Sequence, residues 1–592
     1  MPYRPTRLLD VSGTSGTIRL REKNEIPHDA VYVTLSHCWG VHVPHKLTTQ
    51  NIESMKNQIA LESLGKSFQD AVEIARQLAV QYIWIDCLCI IQDCTEDMIR
   101  ELAVMQHVYG NTFCNIAATD SRDSRGGCFR KRNPNAIQPV RFDIRAEDSE
   151  GNSNSRSFYL TDIDVWWERF ENSPLHQRAW VFQERLLSPR VLHFDQDQLV
   201  WECNELTACE RFPWGMGGLI KGPRMRLPLE EIFRKALASG VEGSEIHDIW
   251  RPMVRTYSSA KLRYDSDRLA AIHGVAMRIK DVFGAQYAAG LFSRNMNNQL
   301  LWHVIDNETS CRPTEPVAPS WSWASIRGAV NLLPQWDSVD FDDIGTINQP
   351  RAKDLREIHY CEILNKDTLG LTSSSPKESH DVLELRCLII PCFYVTSSET
   401  QSWKQCKYKL NSNKTMSADK PNYKIGFFTE EADWPLALIS RSSSPDSTTI
   451  EHTIYEGSIG SDVLISSIQG DEDSAFYIRF HYDVVSDFRT ARKRWLVPVY
   501  STTDWYSTGF SAEQIREVKG LVLEQCGEGE ARFRRLGVFE IDEEVGDEKR
   551  FWECCYAFEG PETWQRVPVE PTRQAENKVE LLQAMQYRIF VE

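Results

Sequence analysis

Several common sequence features are missing from this 592-residue chain, and each absence excludes a class of protein. There is neither a Walker A sequence nor a G-x-G-x-x-G fingerprint, so P-loop hydrolysis and Rossmann-type dinucleotide binding have no support. No C-x-x-C pair occurs among the 16 cysteines, and no uninterrupted apolar run is long enough to cross a bilayer. We therefore expect buried free thiols and a soluble, cytoplasmic protein without a membrane span.

Basic residues are fewer than acidic residues in this chain. Lys and Arg number 67 against 84 Asp and Glu, which gives a formal net charge of -17. Because binding to nucleic acid or to anionic lipid relies on clustered Lys and Arg, we expect neither partner. Apolar surface is plentiful, since 41% of the residues are hydrophobic and 18 are Trp. This composition predicts folded domains rather than a disordered chain.

Strand and helix patterns alternate in the first part of the chain. β-branched, aromatic runs at 31–35, 82–85 and 113–117 are separated by helical patterns at 67–79 and 96–109. Strands that alternate with helices indicate βαβ units. We therefore predict an α/β domain with a parallel sheet flanked by helices.

The rest of the chain changes character twice. Helical periodicity dominates 216–318, and short β-like runs separated by polar connectors dominate 319–592. We predict three parts: an α/β domain at 1–215 with its core at 30–210, a helical module, and a β-rich carboxy-terminal region.

Four aromatic-rich motifs stand in fixed order within the α/β region. They read YVTLSHCWG (32–40), YIWIDCLCIIQD (82–93), NTFCNIAATDSRDSRGGCF (111–129) and PLHQRAWVFQERLLSPRVLHF (174–194). Together they resemble the fungal heterokaryon incompatibility (HET) domain, which is regarded as a remote relative of Toll/interleukin-1 receptor (TIR) domains. The resemblance implies a TIR-like, flavodoxin-like parallel sheet.

The resemblance also implies a function. HET-domain proteins act in heterokaryon (vegetative) incompatibility, where non-self recognition triggers programmed cell death, and certain TIR domains cleave NAD. We therefore expect NAD as a substrate, no bound cofactor, self-association through the HET domain, and an unidentified incompatibility partner protein. Two alternatives stay open: a non-catalytic signalling module that acts by homotypic assembly, and a HET fold repurposed for another reaction.

Glu184 is the candidate catalytic residue. It follows Trp180 by four positions in RAWVFQE, so on a helix the two side chains share a face. The spacing is similar to that around the glutamate of NAD-cleaving TIR domains. A carboxylate in a partly dry pocket would stabilise the positive charge that develops on the ribose as nicotinamide leaves. The alternative is a surface ion pair with Arg178 or Arg185.

The candidate substrate-binding residues surround two strand ends and the predicted helix. Trp39 follows the first strand, where parallel sheets place ligand crevices, and would stack on a base or plug the end of the sheet. Asp86 ends the second strand at a position typical of ribose-binding or helix-capping carboxylates. The full predicted set is Ser36, His37, Trp39, Gly40, Asp86, Arg178, Trp180 and Gln183.

No metal site is predicted. His37, Cys38, His42 and His45 lie close together in sequence, but their spacing matches no standard zinc pattern. A nucleophile pair of Cys38 with His37 is disfavoured, because adjacent residues of an extended strand point to opposite faces.

Overall fold

The structure is a computed structural model in which the chain forms two compact units. It describes residues 3–13, 16–40, 45–133, 137, 140–147, 153–160, 169–215, 233, 245–306, 309–332, 355–359, 361–366, 382–395, 424–427, 462–466, 475–484, 493–504, 514–527, 530–542, 564–567 and 586–592. The first unit consists of 1–242, 260–282 and 339–347, and the second of 243–259, 283–338 and 348–592. Most of 216–244, where the helical module is predicted to begin, lies outside the described residues. The three-part division stays a prediction.

The helices and strands have the following bounds. The helices are α1 Ile52–Asn57, α2 Lys66–Gln77, α3 Asp86–Cys89, α4 Thr95–Gly110, α5 Ala179–Leu187, α6 Glu245–Ser258, α7 Ala270–Phe283 and α8 Met296–Gln299. The strands of the first unit are β1 Arg7–Asp10, β2 Thr17–Glu22, β3 Tyr32–Ser36, β4 Ile59–Ala60, β5 Tyr82–Ile85, β6 Asn115–Ala117, β7 Val140–Glu147, β8 Ser153–Leu160, β9 Arg190–Phe194, β10 Leu199–Cys203 and β11 Thr207–Cys209. The second unit contributes β12 Tyr287–Ala288, β13 Leu291–Phe292, β14 His303–Val304, β15 Val330–Asn331, β16 Leu355–His359, β17 Cys361–Ile363, β18 Leu383–Cys387, β19 Ile390–Val395, β20 Lys424–Phe427, β21 Asp462–Ser466, β22 Ala475–Tyr482, β23 Lys493–Asp504, β24 Gln514–Gln525, β25 Arg532–Asp542, β26 Arg566–Val567 and β27 Gln586–Val591.

A mixed sheet in the order β11-β10-β9-β6-β3-β5-β1-β2-β4 forms the core of the first unit. Its centre is parallel, because β3 pairs in parallel with both β5 and β6, and β6 pairs in parallel with β9. All five residues of β3 are buried, as expected for a strand covered on both faces. The prediction of an α/β domain with a parallel sheet is thus confirmed. The antiparallel strands on both sides were not predicted, because their short runs lie outside the alternating βαβ pattern.

The strand order defines a switch point in this sheet. Numbered along the chain, the four parallel strands lie in the order 2-1-3-4, which is the order of flavodoxin-like doubly wound sheets. The connection through α2 runs from β3 to β5, and the connection through α4 runs from β5 back across β3 to β6. Right-handed crossovers in opposite directions place α2 and α4 on opposite faces of the sheet. The crevice of such sheets opens at the carboxyl ends of the strands where the order reverses, here between β3 and β6.

The second unit is rich in β structure, as predicted. Its large sheet follows the path β17-β18-β27-β25-β24-β23-β19-β20. Off this path, β22 pairs with β25, β21 with β22, β16 with β23 and β26 with β27. A fully buried Arg535 stacks over the ring of Trp302 at 3.4 Å and pairs with Asp483 at 3.1 Å. No helix among the described residues combines the length and the apolar character that a bilayer span requires.

Candidate functional site

The candidate site begins with a polar pair at the switch point. Ser36 is the last residue of β3 and Asn115 is the first of the neighbouring β6. The side-chain nitrogen Nδ2 of Asn115 donates to Ser36 Oγ at 2.9 Å, and Thr34 Oγ1 donates to Asn115 Oδ1 at 3.0 Å. All three side chains are buried. Buried polar groups need partners, and these contacts fix the direction of the Ser36 hydroxyl.

Glu184 reaches the same point from α5. Its side chain is only 4% exposed, and Ser36 Oγ donates a hydrogen bond to Glu184 Oε2. The hydroxyl of Tyr109, at the end of α4, also hydrogen-bonds to this carboxylate and to Ser36. Because α5 packs against α4, the three side chains meet on the α4 face of the sheet. Glu184 therefore lies inside the domain, on no exterior helix face.

The protonation of Glu184 is balanced near neutrality. Burial raises the pKa of its carboxyl group to about 7, since the charged form loses water. The positive charge of Arg178 and the hydrogen bonds from Ser36 and Tyr109 act in the opposite direction. A carboxyl group with such a pKa carries a negative charge for part of the time at neutral pH, which is a property of catalytic acids and bases.

Arg178 ties the start of α5 to the end of β3. It is the extended residue just before the helix, and its guanidinium Nη1 donates to the main-chain oxygen of His37. The next residue, Ala179, donates its N–H to the main-chain oxygen of Lys261 at 3.1 Å. These contacts fix where α5 begins and therefore where Glu184 points.

The loop after β3 and the end of β5 meet, as the sequence predicts. The indole Nε1 of Trp39 donates to Asp86 Oδ2 at 2.7 Å, and the main-chain N–H of Cys87 donates to Asp86 Oδ1 at 2.7 Å. Both Trp39 and Asp86 are half-buried, so each keeps some surface for a ligand. Gly40 has a φ of 67°, and a Cβ there would lie 2.3 Å from the Cβ of Asp123. This position therefore requires glycine.

Two of the predicted binding residues contact other parts of the domain. The Gln183 oxygen Oε1 accepts the N–H of Gly274 in α7 at 3.0 Å, and Trp180 Nε1 donates to Asp267 Oδ2 at 3.3 Å. Successive residues of a helix point in directions about 100° apart, so Gln183 cannot share the direction of Glu184. The structure thus places Gln183 and Trp180 where they attach α5 to residues 265–283.

His37 points to the other face of the sheet from Ser36. Its ring is buried and packs edge-on against Phe68 of α2, with ring centroids 4.9 Å apart. Its Nε2 lies 4.0 Å from Cys87 Sγ, and its Nδ1 lies 3.7 Å from Asp86 Oδ1. Burial raises the pKa of the Cys87 thiol well above its ordinary value and lowers the pKa of His37 to about 4. A neutral thiol beside a neutral imidazole, both sealed from solvent, is no activated nucleophile.

The sequence also places Cys38 and His42 close to His37. Cys38 is buried, and burial raises the pKa of its thiol, so no thiolate is favoured there. His42 lies outside the described residues.

Sequence reasoning missed two members of the site, Tyr109 and Asn115. Tyr109 ends a helix in the run VYGNTF, where an aromatic residue normally indicates packing. Asn115 interrupts an apolar strand in CNIAA, and that polar residue in a buried run was the available signal, because a buried amide must find partners.

The fold and the site define a doubly wound α/β domain with a buried, hydrogen-bonded carboxyl group at its switch point. Residues 32–184 match the model of a protein family described as heterokaryon incompatibility protein (HET). The match begins on β3 and ends on Glu184, and it spans about a quarter of the chain. Residues 32–184 are therefore similar to the HET family. Comparisons with curated proteins and with solved structures gave no match.

Proposed function

We propose that this HET-domain protein acts in heterokaryon incompatibility by cleaving NAD, with Glu184 as the catalytic carboxylate. The observation that supports this proposal best is the position of Glu184. It is a buried carboxyl group at the switch point of a flavodoxin-like sheet, hydrogen-bonded to Ser36 and Tyr109. A buried carboxyl group with a shifted pKa in a ligand crevice is a standard indicator of a catalytic site.

Cleavage of NAD requires one negative charge, in an environment with little water, to stabilise positive charge on the ribose. Cleavage breaks the bond between the nicotinamide nitrogen and ribose C1′, and the bonding electrons leave with nicotinamide as a neutral base. Positive charge develops on the ribose, and water then adds to C1′ and releases a proton. The ionised carboxylate of Glu184 stabilises that charge, and its hydrogen bonds from Ser36 and Tyr109 hold it in place without reorganisation.

The neighbouring strand ends supply surface for the rest of the substrate. The half-buried indole of Trp39 offers a stacking face, and the carboxylate of Asp86 offers acceptors for ribose hydroxyls. Arg178 carries a positive charge close to Glu184 and matches a diphosphate. We propose these roles of Trp39, Asp86 and Arg178 together with that of Glu184.

Loss of NAD links this chemistry to the biological role. We infer that non-self recognition by a partner protein promotes self-association through the HET domain, that the assembled domains consume NAD, and that the cell dies as a result. The competing hypothesis is a signalling module that assembles through the same domain and breaks no bond.

The test is nicotinamide release from NAD by the purified full-length protein at high concentration, with its assembly state followed by light scattering. We expect turnover by the wild type and a loss of about 10²-fold or more in Glu184→Gln, which keeps the shape and removes the charge. Glu53→Gln is the matched control, because Glu53 is an exposed helix glutamate that should leave turnover unchanged. An assembled, folded wild type without turnover would favour the signalling module.

The pH dependence gives a second test. Because the ionised form is required and the pKa of Glu184 lies at about 7, activity should rise with pH and reach half of its maximum near that value. A rate already maximal at pH 5 would contradict the role assigned to Glu184.

A further inference from the structure

We propose that His37, Asp86 and Cys87 form a binding site for a divalent metal ion of the zinc class. One ligand atom from each of the three side chains lies within 4.8 Å of the other two. The site shares Asp86 with the surface proposed to bind NAD, but it uses neither Glu184 nor its hydrogen-bond partners.

The fold brings the three residues together from two strands. His37 follows β3, and Asp86 and Cys87 follow β5, which is the parallel neighbour of β3. The carboxyl ends of parallel strands meet at one edge of a sheet, so residues about 50 positions apart in sequence become neighbours. The His37 ring packs against α2, whereas Ser36 bonds to Glu184 on the other face. The two clusters therefore occupy different sides of β3.

The donor atoms suit zinc in type, and they lie close to one another. Imidazole nitrogen, thiolate sulfur and carboxylate oxygen are its usual ligands, and bond lengths of about 2.0 to 2.3 Å put tetrahedral ligand atoms roughly 3.3 to 3.6 Å apart. The observed separations are 4.0 Å from His37 Nε2 to Cys87 Sγ and 3.7 Å from His37 Nδ1 to Asp86 Oδ1. These two distances start from different ring nitrogens. With a single nitrogen as ligand, the three donor atoms lie within 4.8 Å of one another, so closing on an ion requires side-chain movements of about 1 Å.

The surroundings resemble the outer shell of a metal site. His37 hydrogen-bonds to the main-chain oxygen of Leu35, which is the contact that orients a metal-bound imidazole through its other nitrogen. Trp39 donates to Asp86 Oδ2 and the main-chain N–H of Cys87 donates to Asp86 Oδ1. These two contacts hold the carboxylate with Oδ1 3.7 Å from His37 Nδ1. No such arrangement can be deduced from residue spacing along the chain.

Charge and access are also compatible with a dication. On binding, the Cys87 thiol releases its proton to solvent, so thiolate and carboxylate together offset two positive charges. Arg178 opposes the ion, but its guanidinium is bonded to the main-chain oxygen of His37. The Asp86 side chain is 20% exposed, which provides the entry side and leaves a fourth position for water.

Cobalt(II) substitution tests the site without any assay of activity. The metal-free full-length protein is titrated anaerobically with Co²⁺, and the near-ultraviolet thiolate-to-cobalt band and the visible bands of four-coordinate cobalt are recorded. We expect one bound ion per chain, displaced by Zn²⁺. Cys87→Ser should lose the thiolate band, and Asp86→Asn should weaken binding at least tenfold.

Cys89→Ser is the matched control, because Cys89 is an equally buried free thiol two residues away in the same short helix. It should keep the band. The proposal is overturned if wild type binds no Co²⁺ at micromolar concentrations or if Cys87→Ser keeps the thiolate band. X-ray absorption of the zinc-loaded wild type decides the matter should the variants fail to fold. One sulfur at about 2.3 Å with nitrogen or oxygen at about 2.0 Å supports the site, and a shell without sulfur overturns it.

Discussion

Two buried glutamates in the first unit have opposite environments. Glu184 is 4% exposed and accepts hydrogen bonds from the hydroxyl groups of Ser36 and Tyr109. Glu202, on β10, is 0% exposed, pairs with Arg185 at 2.6 Å and lies 3.0 Å from His193 Nε2. Burial disfavours the charged form of both carboxyl groups. In Glu184 this effect prevails and raises the pKa, whereas in Glu202 the charges of Arg185 and His193 outweigh it and hold the pKa well below its usual range.

The comparison separates structural charge from reactive charge. Arg185 also binds Glu171 at 3.0 Å, so its guanidinium is shared between two carboxylates and Glu202 stays ionised at any neutral pH. Glu184 is one residue away from Arg185 on α5, but its hydrogen bonds come from neutral hydroxyl groups. Burial outweighs these bonds and the nearby charge of Arg178, so the pKa of Glu184 is raised to about 7. We conclude that charge pairing, more than burial, distinguishes the candidate catalytic glutamate from a structural one.

The largest expected effect comes from breaking the structural pair. Arg185→Ala leaves the buried carboxylates of Glu202 and Glu171 without their cation, which should lower the free energy of unfolding by about 3 to 5 kcal/mol. Arg125→Ala is the control, because Arg125 forms a largely exposed pair with Asp123 that should contribute little to stability. Denaturant midpoints of the two variants measure the difference. Similar midpoints would show that the buried network is not structural.

A smaller, pH-dependent difference in the free energy of unfolding is expected between the wild type and Glu184→Gln. Its folded-state pKa of about 7 lies above the ordinary value of 4.5, so between these values the unfolded chain releases a proton that the folded protein keeps. Stability therefore falls as pH rises through this window, by roughly 3 kcal/mol in total. Glu184→Gln should remove that loss, so the variant should gain on the wild type between pH 5 and pH 8.

Denaturation of wild type and Glu184→Gln at both pH values measures this change. A constant difference between the two proteins across the range would mean that Glu184 titrates normally and that the contrast with Glu202 does not exist.

The smallest effect is expected for Tyr109→Phe. The substitution removes one hydrogen bond to the ionised Glu184 carboxylate, which should raise the pKa of Glu184 and move the pH profile of NAD cleavage upward by about one unit. Tyr32→Phe is the matched control, since Tyr32 is also buried but donates to the main-chain oxygen of Val108 at 2.7 Å. A profile shifted equally in both variants would assign Tyr109 a packing role only.

Much of the α/β domain could be predicted from the chain itself. The buried runs of β3, β5 and β6 and the helices between them follow from apolar periodicity, and parallel pairing follows from their alternation. The antiparallel strands β1, β2, β10 and β11 could not be predicted in the same way. They are short, and their place in the sheet depends on which edge is available after the parallel centre has formed.

The sequence alone determined which chemical groups are available: a glutamate within a helix, polar residues after two buried strands, and aromatic motifs that resemble one family. Only the tertiary structure decided which of them meet. Ser36 and Glu184 are 148 positions apart, and Cys87 and His37 are 50 apart. Strand order and crossover direction set these contacts, because periodicity along a chain fixes the face of each element but not its neighbours. The same limit explains why Gln183, adjacent to Glu184 in sequence, contacts Gly274 instead.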